Sequence, residues 1–297
     1  MTASRPHFDL KRVMEDGTES GPLLVPMSEA ADGVETGRRG FFGTGMAFAT
    51  AMSVVGATAN EAQAASSRRR PIKGHQRFVT DLAFSPDDSF LVSGSGDGTA
   101  KIWDFSADVE TLNHGRPVNC VAVSPSNTLI ATGTNDHFVR IISREGKLLH
   151  TCEDHRSRIQ EVAFAPDGRL VSASSDKTLR IWNSFSGKQE RVLNGHSSSV
   201  LAIAMVPRSG MIASASADTT VGLWSLDGEK MLGQLTGHEA SISDIAVAPD
   251  GDRLITRSGD RTLGVWSLKE RELLRRVGEP WDHVSLIAIS PDGEHLL

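Results

Sequence analysis

"GHQRFVTDLAFSPDDSFLVSGSGDGTAKIWD", Gly74 to Asp104, decides the fold. It holds three short apolar runs separated by turn signals, and the chain then repeats the same words. "GHSSSVLAIAMVPRSGMIASASADTTVGLWS", Gly195 to Ser225, keeps their order. A landmark histidine recurs at His75, His114, His155, His196 and His238, at spacings of 39, 41, 41 and 42 residues. A landmark aspartate recurs at Asp97, Asp136, Asp176, Asp218 and Asp260, at spacings of 39, 40, 42 and 42. Six residues after each aspartate stand Trp103, Ile142, Trp182, Trp224 and Trp266. Self-similarity at one period of about 40 residues marks a repeat architecture.

Within each unit the words are strand words. "VTDLAF", "VNCVAV", "IQEVAF", "VLAIAM" and "ISDIAV" are short, β-branched runs. Each leads into "SPDD", "SPSN", "APDG", "VPRS" or "APDG", where proline sets φ and Asp, Asn or Gly suits the later turn positions. A second run ends in "SGSGD", "TGTND", "SASSD", "SASAD" or "TRSGD", a third follows as in "TAKIWD", and a fourth is looser, as in "KLLHTC". Four such strands make an antiparallel sheet that cannot cover both its faces alone, so neighbours must stack on it. The residue before the last of each first strand is Ala83, Ala122, Ala163, Ala204 and Ala246, and Ala288 continues the series. A small side chain at one fixed depth fits innermost strands crowding round an axis. The expected fold is all-β, a β-propeller of four-stranded antiparallel blades spanning 73–297.

Gly74-His75, Gly195-His196 and Gly237-His238, about 22 residues before the aspartate, with Trp103-Asp104 and the relaxed Trp182-Asn183, Trp224-Ser225 and Trp266-Ser267, resemble the WD-repeat propellers. The second unit departs most, with Asn113-His114 and Ile142-Ser143. Four residues before each aspartate stands a hydroxyl: Ser93, Thr132, Ser172, Ser214 or Thr256. Ser, His and Asp together invite a catalytic reading, in which His takes a proton from the hydroxyl and Asp holds its tautomer. A catalytic site is singular, whereas this set recurs in register in five units. The structural reading therefore wins. The resemblance implies a tetrad in each unit: Asp holds His, His bonds the hydroxyl, and the hydroxyl takes the indole N–H. No catalytic residue is assigned.

The last stretch, "AISPDGEHLL", Ala288 to Leu297, repeats the start of a unit: 284–289 as a sixth first strand, 290–293 as its turn. Pro280 stands where the sixth landmark His belongs. The expectation is five full repeats plus a truncated sixth, a fragment of a seven-bladed ring that wants about 60 more residues. Residues 65–72 form a linker, and Arg69 to Lys73 could supply a closing outer strand.

Ahead of the repeats, residues 1–37 are polar and lack an apolar period, and read as disordered. Arg38-Arg39 precede Phe41-Phe42 and an apolar stretch over 43–57, too short and too mildly apolar to span a bilayer. Ala62-Gln63-Ala64 is a small-x-small cleavage site. This order resembles a bacterial twin-arginine (Tat) signal, with Gly37 and Gly43 departing from the usual residues. It implies residues 1–64 as n-region and signal peptide, membrane contact only during export, cleavage near Ala64, and a periplasmic mature protein.

The chain carries 31 Lys and Arg against 37 Asp and Glu, a formal charge of -6, so no basic footprint for nucleic acid is present. No haem, zinc or phosphate-loop spacing occurs, and neither metal nor cofactor is assigned. Cys120 falls on an innermost strand and Cys152 on an outermost one. Three strand spacings, about 14 Å, exceed the roughly 7 Å a disulfide allows, so both thiols are expected free. In the loops entering the first strands, the early units place Arg77, Phe78, Arg116, Arg156 and Arg158, a basic rim suited to an acidic protein partner. The leading functional reading is an exported, non-catalytic protein-interaction scaffold. The alternative is the recognition part of a larger enzyme whose catalytic domain lies beyond Leu297.

Overall fold

The computed structural model of the chain describes residues 8–9, 74–105, 109–278, 287–290 and 292–296. Among these residues there is no helix, and the strands form five four-stranded antiparallel sheets, each following chain order. The first sheet runs Val79–Phe84, Phe90–Ser95, Thr99–Asp104 and Val109–Asn113. The second runs Val118–Val123, Leu129–Thr134, Val139–Ser143 and Leu148–Cys152. The third runs Ile159–Phe164, Leu170–Ser174, Leu179–Trp182 and Gln189–Leu193. The fourth runs Val200–Val206, Met211–Ser216, Val221–Ser225 and Met231–Leu235. The fifth runs Ile242–Val247, Arg253–Ser258, Thr262–Ser267 and Glu272–Gly278. Each repeat is one propeller blade.

Turn chemistry explains the tightness of each blade. The fourth residue of the proline turn is left-handed at Asp88, Asn127, Gly168 and Gly251, and at Gly293 in the truncated sixth unit, with φ between 57° and 89°. Asn, Asp and Gly are the residues that tolerate that region. The residue after each landmark aspartate is left-handed too: Gly98, His137, Lys177, Thr219 and Arg261. Four of those five carry a Cβ, so the turn between the second and third strands is held in a costly conformation by its surroundings.

The cores lie between blades, not within them. Phe90, Val92 and Ile102 of the first blade pack on Val118, Val121 and Ile130 of the second. Val139 and Ile141 meet Ile159 and Trp182 across the next interface. Ile181 and Leu193 meet Ile203 and Trp224, and Leu223 and Leu235 meet Ile245 and Trp266. Each tryptophan of the third, fourth and fifth blades thus packs on the blade before it. Ile255 and Val265 pack on Ile287, Ile289 and Leu296, the start of a truncated sixth blade.

Ile289 bridges to Leu296, and His295–Leu296 pairs antiparallel with Phe8–Asp9. Phe8–Asp9 corrects the expectation of an unstructured start at these two positions: a two-residue strand offers unpaired backbone groups, and a short extended segment satisfies them. The proposed signal residues Arg38, Arg39, Ala62 and Ala64, the 65–72 linker and residues 284–286 of the sixth first strand lie outside the described residues.

Candidate functional site

Each landmark histidine sits in the loop that enters a blade, and each landmark aspartate in the turn between its second and third strands. In the first blade His75 Nδ1 lies 3.1 Å from Asp97 Oδ2, and Nε2 lies 2.7 Å from Ser93 Oγ. Trp103 Nε1 donates to the same hydroxyl at 2.8 Å. The third blade repeats this with His155, Asp176, Ser172 and Trp182, at 2.7, 2.7 and 2.8 Å. The fourth joins His196, Asp218, Ser214 and Trp224, each contact 2.8 Å. The fifth joins His238, Asp260, Thr256 and Trp266, at 2.7, 2.7 and 2.8 Å.

Donor counting fixes the protons. A carboxylate only accepts, so His Nδ1–H faces Asp, and His Nε2 accepts from the hydroxyl, whose oxygen takes the indole N–H. Burial pushes His155 and His196 below the usual histidine range, against the pull of Asp176 and Asp218, so the neutral ring is favoured. Burial works to raise the Asp176 carboxyl, but hydrogen bonds from His155, Thr178 and the Arg156 N–H outweigh it and hold the group below its ordinary range. The proton arrangement matches that of a hydrolytic triad. Access does not: the Ser93, Ser172, Ser214 and Thr256 residues are between 0% and 2% exposed, and their oxygens already accept from tryptophan. A nucleophile must reach its substrate, and these cannot.

The second blade is different. His114, Thr132 and Asp136 do not join into a tetrad, a correction to the expectation drawn from spacing. Thr132 Oγ1 and His114 Nε2 are buried without hydrogen-bond partners. Asp136 instead pairs with Arg140 at 2.6 Å and with the Thr134 hydroxyl. The physical reason lies in two substitutions. Ile142 brings no indole N–H, and Phe138 stands where the other blades have a threonine hydroxyl. Burial and the Arg140 charge push His114 down to about 4, consistent with its lack of an acidic partner.

Two sets of residues escaped the sequence reading. Thr99, Thr178, Thr220 and Thr262, two residues after their aspartates, each donate from Oγ1 to the carboxylate at 2.6 Å. The signal was threonine at that offset in four units. The second set is acidic. Asp81, Glu161 and Asp244 are buried on inner strands and accept N–H groups from the next blade: Val121 at 2.8 Å, Ile203 at 2.5 Å and Ile287 at 2.7 Å. Each stands two residues before the alanine series, so alternation places it on the same buried face.

Cys120 and Cys152 are both buried and free. Burial raises the Cys120 thiol, and pushes Cys152 up to about 12. On the rim, Arg77, Arg116, Arg156 and Arg158 are exposed. Phe78 is 64% exposed, and its ring lies so close over Gly96 that a Cβ there would meet it at 2.7 Å. Gln160, its amide oxygen toward the rim, accepts from Arg158 Nε at 2.9 Å and holds that guanidinium in place. His137 is exposed beside Asp136, and His283 lies outside the described residues. Asp292, Glu294 and His295 bring ligand-type atoms within 4.8 Å of one another, but Asp292 is already taken up by Ser290 and the Glu294 N–H within its turn.

Comparison with known proteins matches this geometry. The family model described as WD domain, G-beta repeat fits residues 66–104, 107–143, 146–183, 187–225 and 229–267. The Nuclear distribution protein PAC1 of Arthroderma benhamiae is 30% identical over 167 residues, covering 46% of this chain and 36% of that protein. The human F-box-like/WD repeat-containing protein TBL1X is 30% identical over 161 residues, 48% of this chain and 28% of that protein. The pea E3 ubiquitin-protein ligase COP1 is 33% identical over 144 residues, 46% of this chain and 21% of that protein. The chain therefore spans little more than a third of these relatives at most. The four matches after the first each hold the outermost strand of one blade and the first three strands of the next. With five matched repeats over most of its length, the chain belongs to the WD-repeat family.

Proposed function

We propose that this protein is a non-catalytic protein-interaction scaffold, exported through the signal at Arg38-Arg39 and cleaved near Ala64, that docks an acidic partner on its basic rim. One observation carries the scaffold reading. The recurrent Ser/Thr–His–Asp sets are spent on tying each entry loop to its own blade, while Arg77, Phe78, Arg116, Arg156 and Arg158 are exposed in the loops that enter the first three blades. Arginine and an aromatic anchor are the residue types that carry interface energy. The later loops offer Ser197 and an exposed Glu239, so the rim is basic on one side only. Export rests on the sequence segment alone; replacing Arg38-Arg39 with two lysines should leave the protein inside the cell. Cleavage after Ala64 would also remove Phe8–Asp9 from the edge of His295–Leu296.

The test compares crosslinked co-purification of wild type, Arg116→Glu/Arg158→Glu, and Lys269→Glu outside the rim. The rim variant should lose the partner that the control keeps. A rim variant that still holds that partner at low salt, where charge acts most strongly, overturns the docking site. The second reading, recognition part of a larger enzyme, is favoured by COP1, a ligase by name, matching over a small share of its length.

A further inference from the structure

Five inner strands and the segment Ile287–Ile289 line a partly open cavity of about 510 Å³ at the centre of the blades. Its wall is apolar: Phe84, Val123, Phe164, Met205, Val247 and Ile289 contribute one residue from each inner strand, and the small belt residues from Ala122 to Ala288 keep the centre open. Pro86, Pro125, Pro207 and Pro249 line one mouth. Within this lining only two side chains are charged or polar, Glu161 and Asp244, and both are acidic.

The two carboxyls are not equivalent. Asp244 uses one oxygen for the Ile245 N–H at 2.8 Å and the other for the Ile287 N–H at 2.7 Å. Glu161 is 4% exposed and uses only Oε2, for the Ile203 N–H. Its second oxygen has no hydrogen-bond partner among the described residues. On the wall of an apolar cavity, that oxygen is open to a donor on a ligand.

We infer that the axial cavity is a binding site for a small amphiphilic cation, an ammonium head at Glu161 carried on an apolar chain along the channel. The site stands apart from the rim and does not rest on it. Charge complementarity sets the sign, because among the described residues no cationic side chain lines the cavity and an anion would meet two carboxyls. Size sets the class. The volume falls within the roughly 300–1,000 Å³ of small-ligand sites, and a single lysine side chain from a partner would leave most of it empty.

Burial holds Glu161 well above the usual carboxylate range, and the facing acids Asp244 and Asp81 push the same way. The Cys120 thiol is the other titratable neighbour, and Arg257 acts on Asp244.

The test is calorimetric titration of the full chain at pH 7 with octylammonium chloride, octan-1-ol and sodium octanoate. Octylammonium should bind one site, about tenfold or more tighter than octan-1-ol. Octanoate should bind most weakly. Glu161→Gln keeps an oxygen for the Ile203 N–H, and should bind octylammonium no tighter than octan-1-ol. Octanoate binding as tightly as octylammonium, or an unchanged preference in Glu161→Gln, overturns the site. The order of the three compounds on wild type decides the matter even if the variant fails to fold.

Discussion

Ser214→Ala and Thr132→Val occupy the same position of the repeat and should move stability in opposite directions. In the fourth blade Ser214 Oγ donates to His196 Nε2 and accepts from Trp224 Nε1, both at 2.8 Å and both away from water. Alanine leaves an unpaired acceptor and an unpaired donor. At about 1–3 kcal/mol for each buried group so stranded, the cost is roughly 2–6 kcal/mol. In the second blade Thr132 Oγ1 is buried and already unpartnered. Valine keeps the shape and removes a desolvated hydroxyl, so Thr132→Val should be neutral or stabilising by about 1 kcal/mol. Urea unfolding followed by tryptophan fluorescence measures both. Equal costs for the two variants would refute the hydrogen-bond chain as the source of stability at this position.

Burial lifts Asp244 to about 7 from its ordinary 3.8, so its contribution is full below the unfolded value and is lost as pH rises through about 7. The advantage of wild type over Asp244→Asn should shrink by roughly 1.4 kcal/mol per pH unit between pH 5 and 7, and a flat difference in urea titrations would contradict it. Cys120 and Cys152 are buried with raised thiols, so neither should react with a disulfide reagent at pH 8 until denaturant is added; a thiol titrating at once in native protein would place one of them at the surface. Thr219 is a β-branched residue at φ 75°, and Thr219→Gly should gain about 1 kcal/mol in the same urea assay; a loss would mean that Thr219 makes a contact that offsets its strain.

The tetrads were legible because they depend on residue type at fixed offsets, which a repeat displays five times. The second blade was not, because spacing preserves His114, Thr132 and Asp136 while the chain of bonds depends on Ile142 and Phe138, which remove a donor at either end. The aspartate-to-threonine bond was equally visible in principle, since Thr99, Thr178, Thr220 and Thr262 share one offset. The acids Asp81, Glu161 and Asp244 reverse the usual rule that charge marks the solvent face. Only their parity with the alanine belt reveals them, and what they bind is a backbone N–H about 40 residues away, which no local pattern names. The Phe8–Asp9 strand is a long-range pairing of two residues, below the length at which strand periodicity can be read.

The central claim is that the recurrent Ser/Thr–His–Asp–Trp sets are closed structural links and not open chemistry. Indole N–H exchange in protein labelled with ¹⁵N at tryptophan tests it most directly. Trp103, Trp182, Trp224 and Trp266 each donate to a buried hydroxyl at 2.8 Å. Their four indole protons should exchange with solvent only on the timescale of local unfolding, with Ser214→Ala releasing the Trp224 proton first. Rapid exchange of all four in native wild-type protein would contradict the account.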